Sequence, residues 1–330
     1  MYQFNANADH IINNSLKLKD EMHGAVLAIG NFDGVHKGHQ YILEHALNIA
    51  KQDATKRVPF GVITFSPHPR AFFNAENSFF RLSDNATRAG LFEQLNLDLL
   101  VVLEFSKQLA NLTAEDFVSK ILVGLIKISH VIVGEDFCFG KNRQGDANFL
   151  KEMGVKYGFG VSILNQIEAA DKVISSSHIR QALRDGNVEQ ASSLLGHHWY
   201  IEGIVESGQQ LGRTIGFPTI NVATRSCCEL KHGTYAATVE FEGRSYYGAA
   251  NFGSRPAVDG VGVRLETFIF NFNRDIYGKK VKVYLHKFIR EDEKFNGLDE
   301  LIKAIDGDVV QIKQYFAQNT IRADKIKKLN

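Results

Sequence analysis

Apolar and polar positions divide the chain into two textures. In the first half, short apolar runs alternate with stretches at helical spacing. Ala25-Val26-Leu27-Ala28-Ile29 reads as a buried strand, and Ile42, Leu43, Ala46, Leu47 and Ala50 then fall on one helix face. Residues 60–65, 99–103, 130–133 and 161–164 repeat the strand pattern. Ser83-Asp84 starts a helix carrying Ala89, Leu91 and Leu95. Thr113-Ala114-Glu115-Asp116 offers a capping box for a helix with Phe117, Ile121, Leu122 and Leu125 on one face. β-Branched runs alternating with helices predict an α/β domain built on a parallel sheet covered on both faces. Near residue 180 the pattern turns purely helical, with stop signals at Asp185-Gly186 and Gly196. From Tyr200 onward, strand-like runs at 201–206, 234–241, 245–250, 267–272 and 281–288 follow one another across glycine-containing turns. They predict an antiparallel β-barrel. Residues 298–316 carry Leu301, Ile302, Ile305, Val309, Ile312 and Phe316, a terminal helix packed on the barrel, with Gly307 as a candidate break. The change of texture at 186–199 sets two domains, 1–186 and 187–330.

Several stretches carry candidate chemistry. Gly30-Asn31-Phe32-Asp33-Gly34-Val35-His36-Lys37-Gly38-His39 joins the first apolar run to the first helix, where open α/β sheets bind ligands. Its glycines let backbone approach a phosphate, and the helix start adds N–H groups and positive dipole. His36 and His39 can donate to phosphate oxygens as charge builds up. The spacing is neither that of a Walker A loop nor that of the Rossmann glycine pattern. Phe65-Ser66-Pro67-His68-Pro69-Arg70 ends the second strand, either as a stiff connector or as a second phosphate contact. Gly134-Glu135-Asp136-Phe137-Cys138-Phe139-Gly140 and the following Arg143, Gly145 and Asp146 form a loop whose glycines allow a flexible wall. Its two aromatics either flank a flat ring or belong to the core. Ile174-Ser175-Ser176-Ser177-His178-Ile179-Arg180 places serines at a helix start, where one is an N-cap by default. In the second half, the stretch from Gly208 to Asn221, with Leu211, Gly212, Arg213, Gly216 and Pro218, is too rich in glycine for an ordinary hairpin. Thr219 and Asn221 share one face of its extended end. Glu266 stands in an apolar strand, where a carboxylate is costly without a partner or a task; otherwise it faces outward.

Composition removes several alternatives. The 330 residues are 44% hydrophobic, enough to fill two cores. Lys plus Arg is 38 against 37 Asp plus Glu, which leaves no electrostatic footprint for nucleic acid or an acidic membrane surface. Three cysteines, two of them adjacent, make neither a disulfide framework nor zinc spacing. No apolar run reaches spanning length and no signal-peptide pattern opens the chain, so a cytoplasmic protein is expected, without an obligate protein partner.

The motifs together carry a resemblance. His36-Lys37-Gly38-His39 resembles the HxGH signature of nucleotidylyltransferases. The run 30–40 resembles the N-terminal module of the bacterial bifunctional riboflavin kinase/FMN adenylyltransferases, or FAD synthetases. Residues 136–146 resemble that family's DFxFGxxRxGD loop, and 174–180 its ISSSxIR signature. Residues 211–221 resemble LGRxxGFPTxN, 248–256 GVANIGxRP, 265–271 LExHxxD and 288–295 FIRxExxF. The resemblance covers roughly residues 20–318 in order. It implies a nucleotidylyltransferase-like N-terminal domain that adenylylates FMN to FAD, and a C-terminal barrel that phosphorylates riboflavin to FMN, both with ATP and Mg²⁺. On the matching positions it implies ATP contacts for adenylyl transfer at Gly30, Asn31, Phe32, Asp33, Gly34, His36, Gly38, His39, Ser175, Ser176, Ser177 and Arg180. It implies FMN contacts at Asp136, Phe137 and Arg143, and Phe65, Pro67, His68 and Pro69, on the loop beside HxGH, are expected to join them. For the kinase it implies ATP contacts at Gly208, Leu211, Gly212, Arg213, Gly216, Pro218, Thr219 and Asn221, with Thr219 and Asn221 also on Mg²⁺. Riboflavin contacts follow at Asn251, Arg255, Glu266 and Arg290, with Glu266 as base and 288–295 as a flap. Phe268 and Asn271 depart from the pattern, where a His and an Asp are usual.

Overall fold

The structure, a computed structural model, describes residues 1–13, 15–52, 57–73, 79–166, 168–169, 172–207, 212, 215–224, 228–257 and 260–327. At 12, 168–169, 172, 254–257, 260–262 and 320–327 it describes the backbone alone. Residue contacts divide the chain into compact units, Met1–Ser176 and Ser177–Asn330.

In the first unit, β1 (Tyr2–Ala6), β2 (Val26–Ile29), β3 (Phe60–Ser66), β4 (Leu99–Glu104), β5 (His130–Gly134) and β6 (Gly160–Leu164) form one parallel sheet. Their order is β1-β4-β3-β2-β5-β6. All four residues of β2 are buried, because both faces are covered. Leu27, Ile29, Ile63, Val101, Val131 and Val133 face Phe117, Ile121 and Leu122 of a helical stretch at 114–126. Val26, Ala28, Val62, Leu100 and Ile132 meet Leu43 and Ala46 of α1 (Lys37–Ala50) and Phe92 of α2 (Asn85–Gln94). Between the HxGH helix and the unit's end lies α3 (Ala147–Tyr157).

Local chemistry explains most element starts. Asp84 accepts the Thr87 N–H at 2.6 Å and caps α2. The Thr113 hydroxyl accepts the Asp116 N–H at 3.0 Å, but the Asp116 carboxylate pairs with Lys120, so the expected capping box forms by half. β1 was not legible as a strand; it pairs in parallel with β4 and buries Phe4 and Ala6. From β2 the chain builds outward to β3 and β4 on one side and to β5 and β6 on the other. The switch point therefore lies between the C-terminal ends of β2 and β5, where ligands bind in such sheets.

The second unit begins with α4 (Ser176–Arg184), which straddles the division, and α5 (Val188–Leu195), capped by Asn187. The Leu183 carbonyl accepts the Lys231 N–H at 3.0 Å, which ties α4 to the strands that follow. Those strands are β7 (Tyr200–Glu206), β8 (Thr219–Ala223), β9 (Gly233–Phe241), β10 (Arg244–Ala257), β11 (Gly260–Ile269) and β12 (Lys280–Arg290). They close an antiparallel barrel in the order β7-β8-β11-β10-β9-β12. β8 is one strand more than the five apolar runs suggested. β11 stops at Ile269, short of 272, because Asn271 turns the chain at φ 53°, a left-handed conformation that Asn tolerates. The terminal helix α6 (Leu298–Lys327) runs through Gly307 without a break. Val309, Ile312 and Phe316 pack on Ala236, Ala249, Phe268 and Phe270, and this burial outweighs the glycine penalty of about 1 kcal/mol.

Candidate functional site

The turn after β2 is held in a costly conformation. Phe32 (φ 50°), Gly34 (φ 82°) and Val35 (φ 44°) are all left-handed, and for β-branched Val35 this is strained. The surroundings fix it at each point. The Asp33 carboxylate accepts the N–H groups of Leu82 at 3.1 Å and Ser83 at 3.0 Å. The Gly34 N–H donates to the Ser83 hydroxyl at 2.9 Å. Arg88 donates to the Asn31 carbonyl at 2.6 Å, and the Ser176 hydroxyl to the Asp33 carbonyl at 2.9 Å. Asp33 and the Gly34 amide, expected to meet ATP, thus also serve the turn's own architecture.

The turn delivers two histidines to the start of α1. His36 Nδ1 accepts the His39 N–H at 3.3 Å and caps the helix, so a neutral His36 carries its proton on Nε2. The two rings stack with centroids 3.6 Å apart and 19° between planes. Burial holds His39 well below its usual pKa, and the His36 and Arg88 charges push the same way. His39 is therefore neutral at pH 7, and its buried Nδ1 has no hydrogen-bond partner among the described residues; nor does Asn31 Oδ1. Gly38 explains itself here: a Cβ would lie 3.1 Å from the His36 ring and 3.4 Å from the Ile174 carbonyl. The Phe32 ring is wedged edge-on between His39 and Phe92.

The other loops at the strand ends behave differently from one another. After β3, a cis Ser66–Pro67 bond leads into the short helix Pro69–Phe73. His68 is buried against Phe79, and its Nδ1 accepts the Arg70 N–H at 3.1 Å. Phe65, Phe72 and Phe73 each meet Phe105 edge-on, and Phe73 is 67% exposed. After β5, Phe139 enters the core with Phe117 and Phe149, while Phe137 stacks directly on it at 5.3 Å. The glycines of this loop do not make a flexible wall. A Cβ at Gly140 would meet the Ala114 N at 2.7 Å, and one at Gly145 the Ala114 Cβ at 2.7 Å, so both allow close packing. Asp136 and Arg143 are exposed, and Asp146 caps α3 through the Phe149 N–H at 2.8 Å. Ser175 precedes α4; Ser177 and Arg180 lie on it, Arg180 one turn after Ser176 and buried.

In the barrel, register gathers residues far apart in sequence. Asn221 of β8 lies opposite Glu266 of β11, and Glu266 opposite Asn251 of β10. Asn251 in turn lies opposite Thr234 of β9. Directly opposed residues share a face, with Cβ atoms about 4.5–5.5 Å apart, so these four form one polar row. The next row on that face, Thr219, Phe268, Ala249 and Ala236, is mostly apolar and packs beneath α6. Glu266 thus sits on the outer face beside the helix. Phe268 fills an apolar slot there, edge-on to Phe217 and Phe270, which accounts for its replacing a polar residue. Gly212 accepts the Phe217 N–H at 2.7 Å, and Gly216 turns at φ 89° just before Pro218. Gly208, Leu211 and Arg213 lie outside the described residues, and Arg255 lies on β10 with its side chain outside them. Two expected flavin contacts are engaged within the protein. The Asn251 amide donates to Asp292 at 2.8 Å, and Arg290 grips Asp308 of α6 with Nε at 2.9 Å and 3.1 Å. Arg88, Phe72, Phe73, Phe105, Asp292 and Asp308 carry no sequence signal for these contacts, although Asp292 lies within 288–295, and Ser83 reads only as a helix start.

Thr219 and Asn221 offer a hydroxyl and an amide oxygen on one strand face, hard neutral donors that suit Mg²⁺ when phosphates complete its shell. No cluster of three or more His, Cys, Asp or Glu side chains forms a metal centre among the described residues. Nor, among them, is any helix long and apolar enough to cross a membrane.

A phosphate-type turn on a parallel sheet and a barrel with a carboxylate in a polar row define a two-domain nucleotide-dependent transferase. A family model described as FAD synthetase matches residues 18–178, and one described as riboflavin kinase matches 195–316. The chain belongs to the bifunctional riboflavin kinase/FMN adenylyltransferase family. It is 37% identical over 294 residues to the member from Escherichia coli (strain K12), covering 89% of this chain and 93% of that protein. The Pseudomonas fluorescens relative is 37% identical over 306 residues, 92% and 97% of the two chains. That from Bacillus subtilis (strain 168) is 34% identical over 316 residues, 93% and 98%. A solved structure described as a macrolide-efflux protein from Streptococcus pneumoniae superposes with a TM-score of 0.83 at 30% identity, covering 95% of this chain and 99% of that one.

Proposed function

We propose that the chain makes FAD from riboflavin in two steps, each using ATP with Mg²⁺, in the cytoplasm. The observation that carries the first step is the Asn221–Glu266–Asn251 row beside α6. Riboflavin's terminal hydroxyl attacks the γ-phosphorus of ATP, Glu266 accepts the hydroxyl proton, and ADP leaves. Thr219 and Asn221 would hold Mg²⁺, which when bound neutralises charge on the phosphate oxygens. Gly208, Leu211, Gly212, Arg213, Gly216 and Pro218 would cradle ATP through backbone, with Asn251, Arg255 and Arg290 toward riboflavin.

The observation that carries the second step is the stacked His36–His39 pair at the start of α1. The FMN phosphate attacks the α-phosphorus of ATP, a P–O bond forms, and the bond to pyrophosphate breaks. The imidazole N–H groups donate to phosphate oxygens as charge develops, while Arg180 neutralises the departing pyrophosphate. Gly30, Asn31, Gly38 and Ser175–Ser177 line the triphosphate path in this reading. FMN would meet Phe65, Pro67, His68, Pro69, Asp136, Phe137 and Arg143, with Phe105 against Phe65 and Phe72 and Phe73 against Phe105. Incubating pure protein with riboflavin, ATP and Mg²⁺, then separating the flavins, tests both steps. FMN followed by FAD is expected; unchanged riboflavin overturns the reading.

The functional boundary proposed is 1–186 and 187–330. Residues 187–330 made alone should fold and convert riboflavin to FMN without making FAD. α4 is tied to the barrel through the Leu183 carbonyl, and Gly186 nestles against Phe288. A soluble, active 177–330 beside an insoluble 187–330 would place α4 in the kinase unit instead.

A further inference from the structure

Helix α2 lies outside every motif, yet one of its faces grips the catalytic turn twice. Arg88 and Phe92 are four residues apart, so they share that face. Phe92 meets the edge of Phe32, whose ring in turn meets His39 with centroids 5.1 Å apart. Arg88 is 3% exposed and donates to the Asn31 carbonyl at 2.6 Å, one residue before Phe32 turns left-handed. Its second nitrogen reaches Asn85 Oδ1 at 3.2 Å. Asn85 in turn takes a bond from Arg81 at 2.9 Å and donates to the Ser66 hydroxyl at 2.8 Å, at the end of β3. One guanidinium thereby couples the β2 turn to the β3 loop, the two segments expected to receive ATP and FMN.

We propose that Arg88 is a positioning residue for adenylyl transfer, holding the Asn31 carbonyl and, through the turn, the stacked His36–His39 pair in the geometry that meets the triphosphate. The inference rests on the adenylyl-transfer reading given above. A buried cation is costly unless its surroundings or a task repay it. Here burial and the neighbouring Arg81 pull the Arg88 pKa down to about 10, while Asp33 and Asp84 oppose them. The cost is sustained where a strained turn has to be held. Arg88 also acts on His39 through its charge: added to burial, the largest cause, and to the His36 ring stacked beside it, the guanidinium disfavours protonation of His39. Around Arg88 the charged groups are Arg81, Asp33 and Asp84, and around His39 they are His36 and Arg88.

The full-length protein provides the test, with riboflavin phosphorylation as an internal control. Misplacing catalytic groups by about 1 Å costs on the order of 10²-fold, so Arg88→Gln should lower kcat for FAD formation by about that factor. The KM for ATP should move less, and FMN formation should not move. Loss of the charge should raise the His39 pKa, read as an upward shift of its imidazole titration by NMR. Arg88→Lys keeps the charge but cannot hold Asn31 and Asn85 together; its kcat should fall about 10-fold with the His39 titration unmoved. Normal FAD turnover in Arg88→Gln overturns the proposal. So does an equal kcat loss in both variants with an unmoved His39, which would mark support of the fold alone. If Arg88→Gln is too unstable to purify, Arg88→Lys decides: full turnover there overturns the proposal. If the parent enzyme makes no FAD, the adenylyl-transfer reading fails, while the His39 titration still reports on Arg88.

Discussion

A His36→Ala enzyme should form FAD about 10²–10³-fold more slowly than the parent, the loss expected when one transition-state donor is removed. FMN formation by the same protein should be unchanged, because that reaction belongs to the barrel. Two effects combine at this position. The substitution removes the donor proposed for the phosphate site, and it removes the Nδ1 that caps α1 through the His39 N–H. Loss of a cap costs about 1 kcal/mol of stability, too little to unfold a domain of this size but enough to loosen the first turn. His36→Asn separates the two effects, since Asn restores a cap without restoring an imidazole. Its FAD rate should stay low. His39→Ala should behave like His36→Ala in rate. In the parent, FAD formation should not lose activity to His39 protonation until the pH is well under 6.5, because burial, His36 and Arg88 depress that pKa. Normal FAD turnover in His36→Ala sinks the assignment; an acid limb centred at or above 6.5 and assigned to His39 by NMR sinks the electrostatic account.

The fold was legible where burial leaves a local trace. β2 to β6 are short and apolar because a parallel sheet covered on both faces hides every residue of a strand. β1 escaped because Tyr2, Gln3, Phe4, Asn5 and Ala6 alternate at the sheet's edge, with only Phe4 and Ala6 well buried. β8 was legible only as an extended end at 219–221, because Pro218 and the glycines before it look like loop until register places Thr219 opposite Phe268. Gly307 reads as a break in isolation, yet the barrel's apolar row keeps α6 continuous. For the sites, short motifs carried the backbone-dependent positions, such as Gly38 beneath the His36 ring. What they could not carry were the bonds that hold those motifs in place. Asp33 meets Ser83, and Arg88 meets Asn31, across about half a domain of intervening chain, and no local pattern encodes such pairs. The same holds for Arg290 and Asp308: each side chain looks like ordinary surface charge until α6 lies against β12.

Glu266→Gln should reduce riboflavin phosphorylation by about 10²–10⁴-fold, the usual contribution of a general base. The amide keeps the shape and a hydrogen-bonding group opposite Asn221 and Asn251, so riboflavin binding should change little. FMN supplied directly should still become FAD at the parent rate. Thr219→Ala should also impair the kinase, by weakening the hold on MgATP, and added Mg²⁺ or ATP should restore part of its activity. Saturating ATP should leave Glu266→Gln unrescued, because it removes a proton acceptor, a group used in the transition state, and not ground-state affinity. Asp292→Asn is an informative companion. Asp292 accepts the amide of Asn251, the residue opposite Glu266 in the polar row, at 2.8 Å, so its neutralisation should alter the KM for riboflavin while leaving kcat far above that of Glu266→Gln. If Glu266→Gln turns over at the parent rate, the hydroxyl proton goes to phosphate or water, and the row's task is to orient riboflavin. If instead the rate falls but saturating ATP restores it, Glu266 belongs to the MgATP site and the base must be sought elsewhere on the barrel.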